Sequence, residues 1–172
     1  MNTILQLAIN EASAQYGIPA HTRIILPVNF RDAGGPDCTY PTSNTIQVTI
    51  RDYCQTDRGS AHYQLSHEAI HTLSPVTKQD VTVLEEGVAT LFSHEFLFKH
   101  TGIYWGSSGD QRYDDAWTLV NSLNAIETNA ISIIFGKYQT LSHLTAQNII
   151  DEIPAVNRAL ADSLVRKFNS ET

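Results

Sequence analysis

The sequence has no apolar run long enough to cross a membrane and no basic cluster. Its 172 residues carry 11 Lys and Arg against 18 Asp and Glu, a net charge of −7 spread along the chain. The first absence excludes a helical membrane span, and the second removes the electrostatic footprint of a nucleic-acid or anionic-membrane binder. No nucleic-acid partner and no membrane partner is expected. The start, Met1-Asn2-Thr3-Ile4-Leu5-Gln6, lacks the basic residues and apolar stretch of a secretory signal. A cytoplasmic chain is expected, with export by a route that needs no such signal as the alternative. Cysteine is scarce: Cys38 and Cys54 are the only two, without the paired spacing of a thiolate metal site. Two free thiols are expected, and one disulfide is the alternative in an oxidising compartment. There is no repeat, linker or low-complexity tract, and the length suits one well-filled core rather than two, so a single domain over residues 1–172 is expected.

Hydrophobic spacing sets the expected elements. Ile4, Leu5, Ala8, Ile9, Ala12 and Tyr16 recur at helical intervals and stop at Gly17-Ile18-Pro19, which predicts a helix over about residues 3–16. Thr22 to Val28 is a β-branched and aliphatic run, and Thr45 to Arg51 alternates Ile46, Val48 and Ile50 with polar residues, so both predict strands. Arg31 to Asn44, rich in Gly, Pro, Asp, Ser and Thr, predicts a loop. A helix is expected from Asp57–Ser60 to Ser74-Pro75, and a second from Thr77–Asp80, where Thr and Asp resemble a capping box, to about His100. Asp110 opens another helix after a loop at 102–109, and shorter helices are expected over 129–135, 145–150 and 154–168. One helix, a few strands and then helices only predicts an α+β domain, with a small sheet packed on a mainly helical body.

The chemistry is concentrated in His67-Glu68-Ala69-Ile70-His71, an HExxH motif. Residues four apart on a helix lie one turn above each other, so both imidazoles can converge on one metal ion while Glu68 is placed to take a proton from water. His67 and His71 share a polar stripe with Ser60 and Gln64, and Leu65, Ala69 and Leu73 form an opposite apolar stripe. A catalytic zinc site takes three protein ligands and keeps one position open. Ser74 and Thr77 stand where an extended HExxHxxGxxH motif has Gly and His, which excludes that ligand set. Asp80 is one candidate for the third ligand, but it sits where a helix cap is expected. Glu85 and Glu86 follow on the next helix. Glu86 shares a face with Ala89, Thr90 and Ser93, small or modest neighbours that allow close helix approach, and this favours Glu86. Glu85, at the edge of an apolar stripe, is the alternative third ligand, and otherwise a salt-bridged carboxylate or one that supports a ligand.

The motif together with Leu84-Glu85-Glu86-Gly87-Val88-Ala89 resembles the gluzincin zinc metallopeptidases, especially the compact MA-type, zincin-like catalytic domain of aminopeptidase N and thermolysin relatives. The likeness covers about residues 45–140. It implies a zinc peptidase with His67, His71 and Glu86 as ligands and Glu68 as general base. Tyr113-Asp114-Asp115-Ala116-Trp117 is similar to the helix on which that family carries an oxyanion-binding Tyr, which implies Tyr113 as hydrogen-bond donor, with His94, Tyr104, Tyr138 and His143 as further candidates. The resemblance also implies that the Thr45–Arg51 strand is an edge strand for main-chain pairing with a peptide or protein substrate. Trp105 is a candidate subsite residue or a packing residue. The spacer between His71 and Glu86 is shorter than in the best-known aminopeptidases, and two further departures stand out. No Gly-x-Met-Glu-Asn stretch precedes the motif to hold a free amine, and Thr90 stands where thermolysin-like relatives carry an Asp that orients a ligating His. The competing function is a catalytically silent zinc-binding interaction or regulatory module; Glu68 favours the enzyme, because binding metal does not require it.

Overall fold

The computed structural model describes residues 1–169. Among them the chain is α+β: α1 (Asn2–Tyr16), β1 (Ile24–Ile25), β2 (Asn29–Arg31), β3 (Asp37–Thr39) and β4 (Thr45–Arg51) precede α2 (Arg58–Leu73), α3 (Val83–Thr101), α4 (Gln111–Ile126), α5 (Ala130–Tyr138), α6 (Ala146–Glu152) and α7 (Arg158–Val165). No helix is long and apolar enough to cross a membrane among the described residues. Both thiols are free, with Cys54 buried and Cys38 partly so.

The sheet corrects three expectations. Of the run Thr22–Val28 only Ile24 and Ile25 form a strand, β1; Pro27, which has no N–H to donate to a ladder, separates it from β2, which begins beyond the run at Asn29. Both pieces run parallel to β4, pairing Ile24 with Thr45 and Asn29 with Thr49. The expected loop 31–44 contains β3, antiparallel to β4 with Asp37 opposite Thr49 and Thr39 opposite Gln47. Thr49 therefore has a strand on each side, so β4 is an inner strand and not the edge strand expected of it. The outer position belongs to β3, whose three residues are too few to show an alternating pattern.

Helix α2 is the spine of the molecule. Asp57 caps it by accepting a hydrogen bond from the Ser60 N–H at 3.0 Å, and it ends at Ser74 ahead of Pro75. Ala61, Leu65, Ala69 and Leu73 are buried among Leu5, Ala8 and Ala12 of α1, Val48 and Ile50 of β4, and Leu84, Val88 and Phe92 of α3. The sheet and α1 thus cover the apolar side of α2, as the stripe predicts. Its polar stripe faces α3 and the cavity described below.

Helix α3 starts later than expected. Thr77 and Asp80 form a local turn, with the Thr77 hydroxyl donating to Asp80 Oδ2 at 2.7 Å, and the N-cap is Thr82, whose hydroxyl accepts from the Glu85 N–H at 3.4 Å. The late start reflects a long-range partner. Residues 166–168, expected as the end of the last helix, are extended and pair with 81–83: Val83 N–H donates to Arg166 O at 2.9 Å and Phe168 N–H to Val81 O at 3.0 Å.

Candidate metal centre

His67 and His71 occupy successive turns of α2, and Glu86 comes from the first turn of α3 packed against them. One ligand atom from each lies within 4.8 Å of those of the other two, and all three residues are buried. Glu86 Oε2 is 3.0 Å from His67 Nε2 and 3.7 Å from His71 Nε2. Two imidazole nitrogens and one carboxylate oxygen on one point form a donor set that could hold a metal ion. Asp80 is excluded from it. Its carboxylate is bound to Lys167 Nζ at 3.0 Å and to Thr77.

Glu85 and Ser142 complete the arrangement. Glu85 Oε1 is 2.8 Å from His71 Nδ1, and its other oxygen accepts from the Ser142 hydroxyl. A carboxylate acceptor puts the proton on Nδ1 and leaves the Nε2 lone pair directed at the cluster, which is the usual support for a ligating histidine. Thr90 does not orient a ligand in this way, since its hydroxyl donates to the Glu86 carbonyl at 2.8 Å. The orienting carboxylate thus comes from Glu85, beside the ligand in sequence, rather than from the position one turn later.

Electrostatics favour a cation here. Burial alone would depress His71, but the charge of Glu86 and the bond to Glu85 outweigh it and raise its pKa well above the ordinary value. Burial would raise Glu86, but His71 and His67 together pull it below the ordinary carboxylate range. The field that favours a proton on His71 equally favours a metal cation beside it. Glu68 is 3 % exposed, and burial foremost raises its pKa. Among the described residues the ion pairs of Glu85 and Glu86 are with histidine, not with Lys or Arg. A buried carboxylate group of this kind requires positive charge.

The cluster lies in an open cavity of about 590 Å³ that is lined by β3 with its flanks, the polar side of α2, the loop at 102–109 and the start of α4. Glu68 and Cys38 both line it, and burial pushes the Cys38 thiol up to about 12, with the charge of Glu68 adding to the shift. Cys38 is thus held as a thiol, and it lies outside the group formed by His67, His71 and Glu86.

Tyr113 reaches the cavity because of Gly87. A Cβ on Gly87 would run into the backbone carbonyl of Ala116 and the side chain of Val120, so α4 lies directly on α3 only when residue 87 lacks a side chain. Tyr113, one turn before Ala116, then stands with its ring 5.6 Å from that of His67. Phe168, 4.8 Å away, supports its other side. Burial and the charges of Glu86 and Glu68 raise the Tyr113 pKa, which keeps the hydroxyl protonated. Of the other donor candidates, His94, Tyr104, Tyr138 and His143 are all absent from the cavity wall, whereas Trp105 belongs to it. Sequence reasoning missed Ser142 and the β3 residues, which come to the site from segments without a motif. Gly87 was visible as the residue after the candidate third ligand.

No family model, curated protein or solved structure gives a significant match to the chain. What the chain does is therefore inferred from this centre alone.

Proposed function

We propose that the chain is a zinc peptidase of the gluzincin type. The observation that carries this is the convergence of His67, His71 and Glu86 at an open cavity with the buried carboxyl of Glu68 on the same helical turn. Borderline nitrogen and oxygen donors in a set of three suit zinc, which when bound supplies Lewis acidity towards water and the substrate carbonyl.

The chain's own groups handle the protons. Glu68, between the two histidines in sequence, accepts a proton from the water as its oxygen bonds to the scissile carbonyl carbon. It then delivers that proton to the nitrogen as the carbon–nitrogen bond breaks. Burial raises Glu68, which brings its basicity closer to working pH than that of an ordinary carboxylate. Glu85 and Ser142 hold the His71 ring in place throughout. The Tyr113 hydroxyl, protonated and carried on a ring 5.6 Å from that of His67, donates to the carbonyl oxygen as that oxygen gains charge. An extended substrate finds its main-chain partner at β3, the outer antiparallel strand whose residues Asp37 and Cys38 line the cavity.

Replacing Glu68 by Gln tests the reading, because the amide keeps the shape and cannot accept the proton. Hydrolysis of a peptide or protein substrate should fall at least about a hundredfold with metal content unchanged. Parental turnover in Glu68→Gln would assign Glu68 a structural role. A metal-loaded parent chain inert towards all peptides and proteins would instead leave a zinc-binding module.

A further inference from the structure

We propose that Tyr63 and Trp105 form a subsite that takes an aromatic or large aliphatic side chain of the substrate. The peptide nature of that substrate rests on the peptidase reading above; the chemistry of the subsite rests on its own residues.

Position comes first. Tyr63 is one turn before His67 on α2, so the two side chains share a face, and both line the same cavity. A helical turn rises about 5.4 Å and an extended peptide about 3.3 Å per residue, so a side chain one or two residues from the scissile bond meets Tyr63.

The wall is held before any ligand arrives. The Tyr63 ring lies 5.0 Å from Trp105 and 5.1 Å from His94, and His94 is stacked at 4.3 Å on Trp117, so Tyr63 is backed by aromatic rings. Trp105 is fixed by its loop. The loop lies against the start of α2, where a Cβ on Gly59 would make ordinary contact with the indole at 3.6 Å and a tighter one with Ile103 at 3.3 Å. On the far side the Ser107 hydroxyl and the Ser108 N–H donate to Asp114 of α4. A surface already held in its binding geometry loses little entropy on binding.

Three neighbouring polar side chains of the cavity wall, Gln64, Ser60 and Arg112, are already paired. Gln64 accepts from Arg51 N–H at 3.0 Å and donates to the Tyr53 hydroxyl at 2.9 Å. The Ser60 hydroxyl donates to Asp57 at 2.7 Å, and Arg112 is paired with Asp110 at 2.8 Å. Between them Tyr63 and Trp105 offer a ligand ring surface. A charged side chain set against these rings would lose water without gaining an ion-pair partner from them, whereas an apolar one gains contact area with two aromatic faces.

The test uses blocked hexapeptides of one backbone sequence, with Phe, Leu, Asp or Lys placed in turn at each position. They are titrated onto metal-loaded Glu68→Gln protein and incubated with the parent chain. At one position Phe or Leu should bind at least about tenfold more tightly than Asp. Trp105→Ala should abolish that difference without changing metal content, and Trp105→Phe should keep most of it. With Trp117→Phe, leaving Trp105 as the only indole, the best peptide should shift the fluorescence emission; this decides the matter if Trp105→Ala does not fold. Equal binding of all four residues, a preference indifferent to Trp105→Ala, no emission shift, or no binding at all overturns the subsite. A Trp105-dependent preference without cleavage by the parent supports the subsite and removes the peptidase reading. Cleavage with no preference does the reverse.

Discussion

Glu85 and Glu86 are adjacent, chemically identical and both buried, yet α3 points them at different partners. Successive residues of a helix differ in direction by about 100°, so Glu86 meets the Nε2 atoms of His67 and His71 while Glu85 meets His71 Nδ1 and Ser142. The small residues that follow Glu86 made its side of the helix legible in the sequence. Its companion's role was only half legible: Glu85 could be seen as a supporting carboxylate, but Ser142 lies far along the chain in a segment with no pattern to connect it. The division of labour has a measurable consequence. Glu85→Gln removes the charge that supports His71 and should weaken metal binding by about ten- to a hundredfold in a chelator competition while leaving one site per chain. Unchanged affinity would show that His71 is held by packing alone.

Among the elements, α2 and α4 were legible because their signals are local. Asp57 and Asp110 each accept a hydrogen bond from a backbone N–H of the helix they open. The start of α3 was not. Thr77-Lys78-Gln79-Asp80 satisfies its own side chains as a turn, and the later Thr82-Val83-Leu84-Glu85, which has the same pattern with Glu, is selected by pairing with residues 166–168. The strand β3 was hidden for a similar reason: its partner β4, not its composition, makes it a strand. The contact between α3 and α4 gives a sharp test at Gly87. In an isolated helix Gly→Ala would gain about 1 kcal/mol. Here the obstacle is a backbone carbonyl, which cannot rotate away as a side chain tip can, so overpacking should prevail. Gly87→Ala is expected to destabilise the fold by about 1–3 kcal/mol in a denaturant titration. A neutral or stabilising result would mean that α4 does not rest on residue 87.

On the scale of the whole molecule, the α+β class followed from the order of periodic segments, and the opposed stripes of α2 told which side would face the core. The middle position of β4 did not follow, since alternation within a strand says nothing of how many neighbours it has. The assembled molecule places buried carboxylates of α2 and α3 around two histidines, a group that could hold a metal ion. The most direct measurement is the metal content of the chain purified without added metal, read beside that of His71→Ala and Glu86→Ala. One zinc per parent chain, lost in both variants, is the predicted result. Parent protein that takes up no zinc even when it is supplied, or zinc that persists in Glu86→Ala, would contradict the centre and the function built on it.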